Sequence, residues 1–346
     1  MKVMIVNGRF LLHSITGVER YAREILAELD LLARPGEIEM AVPPEAKEIP
    51  AYKNIRTARV GSLHDRLWEH ISFPAYVKKK NGISLNLCNV APLPEPGIVC
   101  IHDVKIRTCP QYFSRSFILW YRLLLANETR RSKKILTVSE FSKNEICRYY
   151  HTDQDSIAVI PNAWQHFERI GYDDAALERY GLKKGKYFFS LCSRDRNKNP
   201  EWIAGAAKRN PDAVFAVAGS VNQKVFAEGQ GFESTDNLLF LGRVSDEEAK
   251  TLMRDCKAFL FPSYYEGFGI PPLEALSVGA SVVSSDTTSL PEVLRDSVHY
   301  IDPNHPDVDL ELLLREPVGP REHALERYSW KASAQKLYAI MESIRG

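Results

Sequence analysis

Short apolar runs alternate with helical stripes along the whole chain, and this alternation limits what it can fold into more than any other feature. Val3 to Val6 is an apolar run, and a loop follows through Gly8 to Gly17. From Val18, apolar residues recur at Tyr21, Ile25, Leu26 and Leu29 as one face of a helix. Ile38, Met40 and Val42 alternate as a strand before the Pro43-Pro44 stop. Ile98 to Ile101 and Ile135 to Val138 read as buried strands around a long helix from Ser116 to Ser132. Ser142 and Glu145 have the spacing of a capping box for the next helix. The second half repeats the scheme. Lys186 to Cys192, Val214 to Ala218, Leu238 to Leu241, Ala258 to Phe261 and Ser281 to Ser284 are strand candidates. Pro200 to Lys208, a helix capped by Ser245 with Glu248, and Pro272 to Val278 closed by Gly279 fall between them. Strands alternating with helices make parallel sheets, so the fold class is α/β, with two such units in tandem. A length of 346 residues suits two domains. The expected division is 1–163, 164–325 and a terminal helix within 326–346 that crosses back to the first domain. The polar stretch Pro161 to Gly181 is the expected linker.

Composition removes several classes. Six cysteines are scattered without a CxxC pair, which points to reduced thiols in a cytoplasmic protein. The histidines show no HxxxH or HExxH spacing, so no zinc site is expected. The longest apolar candidate for a membrane span, Phe117 to Ala126, is short and broken by Arg122. Residues 1–165 carry 23 Lys+Arg against 17 Asp+Glu and so a net +6, while the remainder carries a net −5. The clusters Lys78-Lys79-Lys80 and Arg130, Arg131, Lys133, Lys134 read as solvated faces, or as a surface for an anionic ligand or lipid headgroups. Nucleic acid is disfavoured, because interleaved aromatics and an overall basic balance are missing.

Ligands of open α/β sheets collect beyond the carboxyl ends of the strands. There the stretch FPSYYEGFGIPPLEALSVGASVVSSDTTSLPE, Phe261 to Glu292, is the most informative. Glu266 follows a strand and is followed by Gly267 and Gly269, which permit close ligand approach. Pro271 and Pro272 suit a helix start whose early amides point at an anion, and Glu274 is expected on its first turn. A turn leading into a helix with dipole-favoured acids accounts for Glu274 but not for the glycine-rich loop joined to it. His102 ends a strand beside Asp103. The triplets Asp153 to Asp155 and Asp307 to Asp309 lie in polar connections and read as turns, so no metal is expected.

EGFGIPPLEA followed by GASVVSSDTTSLPEV resembles the two-glutamate motif of the retaining glycosyltransferases of family 4, which have the GT-B fold. TGVERYAREIL, IHD, ILTVSEFSKNEI with VIPNA, SRDRNKNPEWI and FLGRVSDEEAKTLM extend the resemblance over nearly the whole chain. It is similar in character to bacterial enzymes of capsule, exopolysaccharide or lipopolysaccharide synthesis. The resemblance implies two Rossmann-like domains facing each other across a cleft. The first would take a saccharide or lipid-diphosphate-linked acceptor, and the second a UDP-, GDP- or dTDP-type sugar donor, with no cofactor.

By the same resemblance, Lys198 and Arg194 or Arg196 clamp the donor pyrophosphate, with Ser193 beside them. Fixed cations there stabilise the charge of the leaving diphosphate. Glu266 touches the donor hexose, the amides of Gly267, Phe268, Gly269 and Ile270 approach sugar and phosphates, and Glu274 binds the ribose. Val244 lies near the base, and Gly17 lets the first helix approach the donor phosphates or acceptor. His102 positions the donor sugar near the reacting atoms, and Asp103 is an acceptor candidate. The expected activity is metal-independent, retaining hexosyl transfer at the inner face of the cell membrane. A GT-B nucleotide-sugar epimerase and a non-catalytic binding partner are the competing readings; a dinucleotide oxidoreductase is disfavoured because no GxGxxG follows the first strand.

Overall fold

The computed structural model describes residues 1–192, 196–219 and 236–346. They form two compact units: Met1–Asn162 with Ser329–Gly346, and Ala163–Tyr328.

The first unit is built on β1 (Met4–Asn7), β2 (Ile38–Val42), β3 (Arg56–Arg59), β4 (Ile83–Asn86), β5 (Ile98–Cys100), β6 (Lys134–Thr137) and β7 (Ile157–Val159). They pair in parallel in the order β3-β2-β1-β4-β5-β6-β7. Every residue of β1, β4 and β5 is buried, as expected for central strands covered by helices on both faces. The edge strand β3, Arg-Thr-Ala-Arg, is mostly exposed and has no apolar pattern, which is why it gives no strand signal in the sequence. The connection after β1 is a 3-10 turn, Gly8–Leu12, rather than an open loop. Helix α1 (Gly17–Leu32) buries Tyr21, Ala22, Ile25, Leu26 and Leu29, the predicted stripe. Helices α2 (Arg115–Arg131) and α3 (Glu140–Tyr150) flank β6 in sequence. The cap of α3 is Ser139, whose hydroxyl accepts from the Ser142 amide at 3.0 Å. Ser142 is therefore the third helical residue rather than the cap, and its own Oγ donates to the His102 carbonyl at 2.9 Å. The terminal helix Trp330–Arg345 belongs to this unit: Tyr338 donates to Glu37 at 2.7 Å, and Arg345 Nε donates to the Lys2 carbonyl at 2.8 Å.

The second unit contains β8 (Tyr187–Leu191), β9 (Val214–Ala218), β10 (Leu238–Gly242), β11 (Ala258–Phe261), β12 (Val282–Ser285) and β13 (His299–Ile301), all parallel, in the order β10-β9-β8-β11-β12-β13. Its core joins Phe188, Phe215, Val217, Leu260 and Val283 to Trp202 and Ile203 of α4 (Pro200–Arg209). Helix α5 (Asp246–Asp255) carries the expected Ser245–Glu248 capping box. Helix α6 (Ile270–Ser277) starts two residues earlier than expected, so Glu274 stands on its second turn instead of its first. The stretch expected to be a linker folds onto this unit instead. Trp164 Nε1 donates to the Leu325 carbonyl at 3.0 Å, and the buried Lys250 ammonium donates to the carbonyls of Phe167 and Ile170 at 2.7 and 2.6 Å. These bonds satisfy backbone groups that a strandless segment would otherwise leave bare.

Both sheets change winding direction once, between β1 and β4 in the first and between β8 and β11 in the second. Loops diverge there at the carboxyl ends of the strands and leave a crevice.

Candidate active site

In the second unit, the loops after β8 and β11 meet at the winding change. Asn197 and Asn199 hold them together. The Asn197 side chain donates to the Tyr265 carbonyl at 2.5 Å, and the Asn197 backbone carbonyl accepts from the Tyr264 amide at 2.9 Å. Asn199, fully buried at φ +53°, donates to the carbonyls of Pro262 and Pro303 and caps α4 through the Trp202 amide. Between these buried amides Lys198 is fixed, with its Nζ 2.6 Å from Glu266 Oε1 and 5.0 Å from the centre of the Phe261 ring. The structure thus brings together two site residues that are 68 positions apart. Glu266 is held in turn by its backbone: its amide donates to Thr288 Oγ1 at 3.1 Å and its carbonyl accepts from Ser289 at 2.9 Å.

Beyond Glu266 the chain turns through buried Gly267, Phe268 and Gly269 into Ile270. Gly269 sits at φ +93°, and a Cβ there would lie 2.6 Å from Leu290 Cδ2. Phe268 is buried with its ring edge-on to Tyr328 at 5.0 Å. Because Pro271 and Pro272 carry no N–H, the donors at this helix start come from the preceding turn and Ile270. Glu274 Oε1 accepts from His166 Nε2 at 2.7 Å, with His166 almost completely buried. His166, Thr288, Asn197 and Asn199 escaped the sequence reading, since partners more than 20 positions away leave no local pattern.

The other donor-side candidates are spread around the same sheet end. Val244 is half-buried after Gly242, which has φ +71°, and Arg196 is exposed. Gly219 ends β9 at φ +127°, where a Cβ would lie 1.9 Å from the Cys192 carbonyl oxygen. Ser193 and Arg194 lie outside the described residues.

In the first unit, His102 follows β5 and is 5% exposed. Its Nε2 donates to the Leu87 carbonyl at 2.8 Å, its amide donates to Asn89 Oδ1 at 2.7 Å, and its ring stands edge-on to Tyr21. Burial pushes its pKa down to about 4, against the Leu87 carbonyl that favours the charged form. The imidazole is therefore neutral near pH 7, with Nε2 as donor and Nδ1 as the lone-pair nitrogen. Asp103 Oδ1 accepts from the Lys105 amide at 2.9 Å and so shapes the turn after His102. Gly17, exposed, is the first residue of α1.

The Asp triplets serve turns. Asp153 Oδ1 accepts from the Asp155 amide, and Asp309 caps a short helix through the Leu312 amide, with Arg209 beside Asp307. No group of three or more His, Cys, Asp or Glu placed to hold a metal occurs among the described residues.

Two all-parallel Rossmann-like units, with a lysine, a glutamate and a glycine-bent helix start at the winding change of the second, make up the GT-B fold. Residues 174–315, somewhat less than half of the chain, match the family model of glycosyl transferases group 1. Among curated proteins it is 31% identical over 227 residues to O-antigen chain mannosyltransferase B of Escherichia coli, covering 62% of this chain and 59% of that one. It is 28% identical over 320 residues to O-antigen chain mannosyltransferase RfbU of Salmonella typhimurium, covering 87% of each. The match thus spans less than two thirds of the first relative and most of the second. The fold is shared with the crystal structure of Anabaena HepE in complex with UDP and glucose, at a TM-score of 0.71 and 14% identity over 99% of this chain and 100% of that one.

Proposed function

We propose that this enzyme is a retaining, metal-independent family 4 hexosyltransferase. It moves mannose from a nucleotide diphosphate to a saccharide, or lipid-diphosphate-linked saccharide, in the assembly of a bacterial surface polysaccharide. The observation that carries the reading is the Lys198–Glu266 pair at the winding change, followed by the amides of Phe268, Gly269 and Ile270. A cation and several amide dipoles in fixed positions favour the charge that develops on a departing diphosphate, which is the part a divalent ion plays elsewhere. The choice of mannose follows the activity for which both mannosyltransferase relatives are named, and a nucleoside diphosphate leaving group accords with the UDP bound by the Anabaena protein.

The reaction breaks the bond between the anomeric carbon and the β-phosphate oxygen and forms one to the acceptor oxygen on the same face. The acceptor's hydroxyl proton passes to the leaving phosphate. Lys198 neutralises that phosphate, with Arg194 or Arg196 assisting. Glu266 accepts hydroxyl hydrogen bonds from the hexose, and Glu274, oriented by His166, accepts those of the ribose. His102, neutral and immobile, positions the donor sugar, with Asp103 shaping its turn.

The acceptor side of the proposal includes the inner membrane surface. On α2, Leu119 and Leu123 are 63% and 58% exposed, one helical turn apart, and Arg115, Arg130 and Arg131 are exposed on the same helix. No described helix is long and apolar enough to cross a membrane. Exposed leucines with arginines suit the interface of an anionic bilayer.

The test is incubation of the purified protein with a panel of UDP-, GDP- and dTDP-sugars and a bacterial membrane extract. Release of nucleoside diphosphate that depends on the extract is the expected result, with GDP-mannose the first donor to try. An epimerised nucleotide sugar formed without acceptor would replace this reading with the epimerase.

A further inference from the structure

The first unit has its own winding change, and Arg9, Glu69 and Tyr121 there belong to no role assigned so far. A cavity of about 330 Å³ opens at the carboxyl ends of β1 and β4, lined by Asn7, Arg9, Val18, Glu69, Asn89 and Tyr121 among others. Its volume is at the small end of the ~300–1,000 Å³ typical of ligand pockets.

Glu69 is one of the two carboxylates that line this cavity. It is 3% exposed and sits on one π-helical turn, Trp68–Ser72, that follows Asp65 at φ +47°. Such turns are rare and are found frequently at functional sites. Glu69 Oε1 accepts from Asn7 Nδ2 at 2.9 Å, and Asn7 is tied to Asn86 at 3.1 Å, so the last residues of β1 and β4 fix the carboxylate. Glu69 Oε2 lies 3.2 Å from Arg9 Nη1 but makes no hydrogen bond. Arg9 is itself anchored by two bonds to Asp65, at 3.1 and 2.6 Å. A buried carboxylate oxygen with unused acceptor capacity is costly unless a ligand fills it.

The chemistry of that ligand follows from the charges. Arg9, Arg66 and His13 line the cavity together with Glu19 and Glu69, and Arg9 already faces two carboxylates, so a phosphate would meet repulsion as well as attraction. A polyol meets neither. Planar carboxylate, amide and guanidinium groups offer it paired acceptors and donors, and Tyr121 is among the residues that line the cavity.

We propose that this cavity holds one neutral hexose unit of the acceptor, with Glu69 Oε2 accepting a hydroxyl hydrogen bond and Arg9 and Asn89 donating to neighbouring oxygens, an inference that rests on the transferase reading. Glu69 then selects acceptors by the hydroxyl it binds, apart from the donor groups of the second unit.

The experiment is ligand-observed NMR on the full chain with methyl α-mannopyranoside, methyl β-galactopyranoside, N-acetylglucosamine and inorganic pyrophosphate as separate probes. The chains compared are wild type, Glu69→Gln, and Val18→Trp, which adds bulk from the cavity wall while leaving Asn7, Arg9 and Glu69 themselves unchanged. GDP and UDP binding is measured on the same samples. The expected result is saturation transfer to at least one sugar, with its Kd raised about fivefold or more in both variants while nucleotide binding stays as in wild type. The inference is overturned if no sugar binds, if sugar binding survives both substitutions, or if pyrophosphate alone binds. Sugar binding lost in both variants of a chain that binds no nucleotide would support the cavity while removing the donor reading.

Discussion

His166 Nε2 lies 2.7 Å from Glu274 Oε1, joining the first turn of the second unit to helix α6 across 108 positions. His166 is almost wholly buried and Glu274 is 13% exposed, so the histidine fixes which carboxylate oxygen remains for a ligand. The acidic residue of the glycine-rich motif is thus part of a pair whose other half no local pattern marks.

That pairing predicts a binding phenotype. His166→Ala removes one hydrogen bond to a carboxylate, worth about 1–2 kcal/mol, and should raise the Kd for nucleoside diphosphate roughly tenfold. Calorimetric titration with GDP and UDP measures it. Unchanged affinity for both would show that Glu274 does not need this orientation.

Lys198→Ala and Glu266→Ala should each cost about 2–4 kcal/mol of transition-state stabilisation, by analogy with the loss of fixed electrostatic donors. Because the two side chains are in contact, the double variant should cost less than the sum of the singles. Steady-state turnover with the preferred nucleotide sugar reports both. Wild-type rates in the single variants would place the site elsewhere.

Chelation tests the role given to Lys198 and the amides of the glycine turn. EDTA at millimolar concentration should leave the transfer rate unchanged, and a rate restored only by added Mg²⁺ or Mn²⁺ would contradict the proposal.

Glycine substitutions separate strain from collision. At Gly36, φ is +90° and a Cβ would meet nothing, so Gly36→Ala should cost about 1 kcal/mol, the left-handed penalty alone. Gly269→Ala adds contact with the Leu290 side chain, which can shift, and should cost about 1–3 kcal/mol with loss of donor binding. Gly219→Ala meets a backbone carbonyl at 1.9 Å and should cost about 3 kcal/mol or more. Thermal unfolding in the presence and absence of nucleotide orders the three.

His102 sets a pH dependence of stability. Its folded pKa is lowered from 6.5 to about 4, so between these values the unfolded chain binds a proton that the folded chain does not. Stability should therefore fall as pH drops through this window, by up to about 3 kcal/mol from this group. His102→Gln, which can still donate to the Leu87 carbonyl, should flatten the slope between pH 6.5 and 4 in denaturant titrations. An unchanged slope would mean that other groups carry the acid sensitivity.

Much of the fold was legible because covered parallel strands must be apolar throughout: β1, β5, β8, β9 and β11 stand out as short runs between helical stripes. Strand β3 did not, because an exposed edge needs no such run, and neither did β4 or the short β13. The capping box at Ser245 was legible since both its partners are within one turn, whereas Ser139 was passed over for Ser142, three residues on. Among the candidate site residues, Glu266 and His102 stand out by residue type and place after a strand, Glu274 by its place on a glycine-led helix, and Lys198 through the resemblance carried by SRDRNKNPEWI. Asn197, Asn199, His166, Asn7 and Glu69 could not, because each acts through a partner that only folding supplies.

The amino-acid order alone determined that this chain would form two parallel α/β units with a glycine-bent glutamate motif in the second. Hydrophobic periodicity and turn chemistry are local, and they act before any distant contact exists. Only the tertiary structure decided that β8 and β11 would be neighbours, so that Lys198 meets Glu266, and that a π-turn would aim Glu69 at the ends of β1 and β4. Those choices depend on strand order and buried hydrogen bonds, which are satisfied across the sheet and not along the chain.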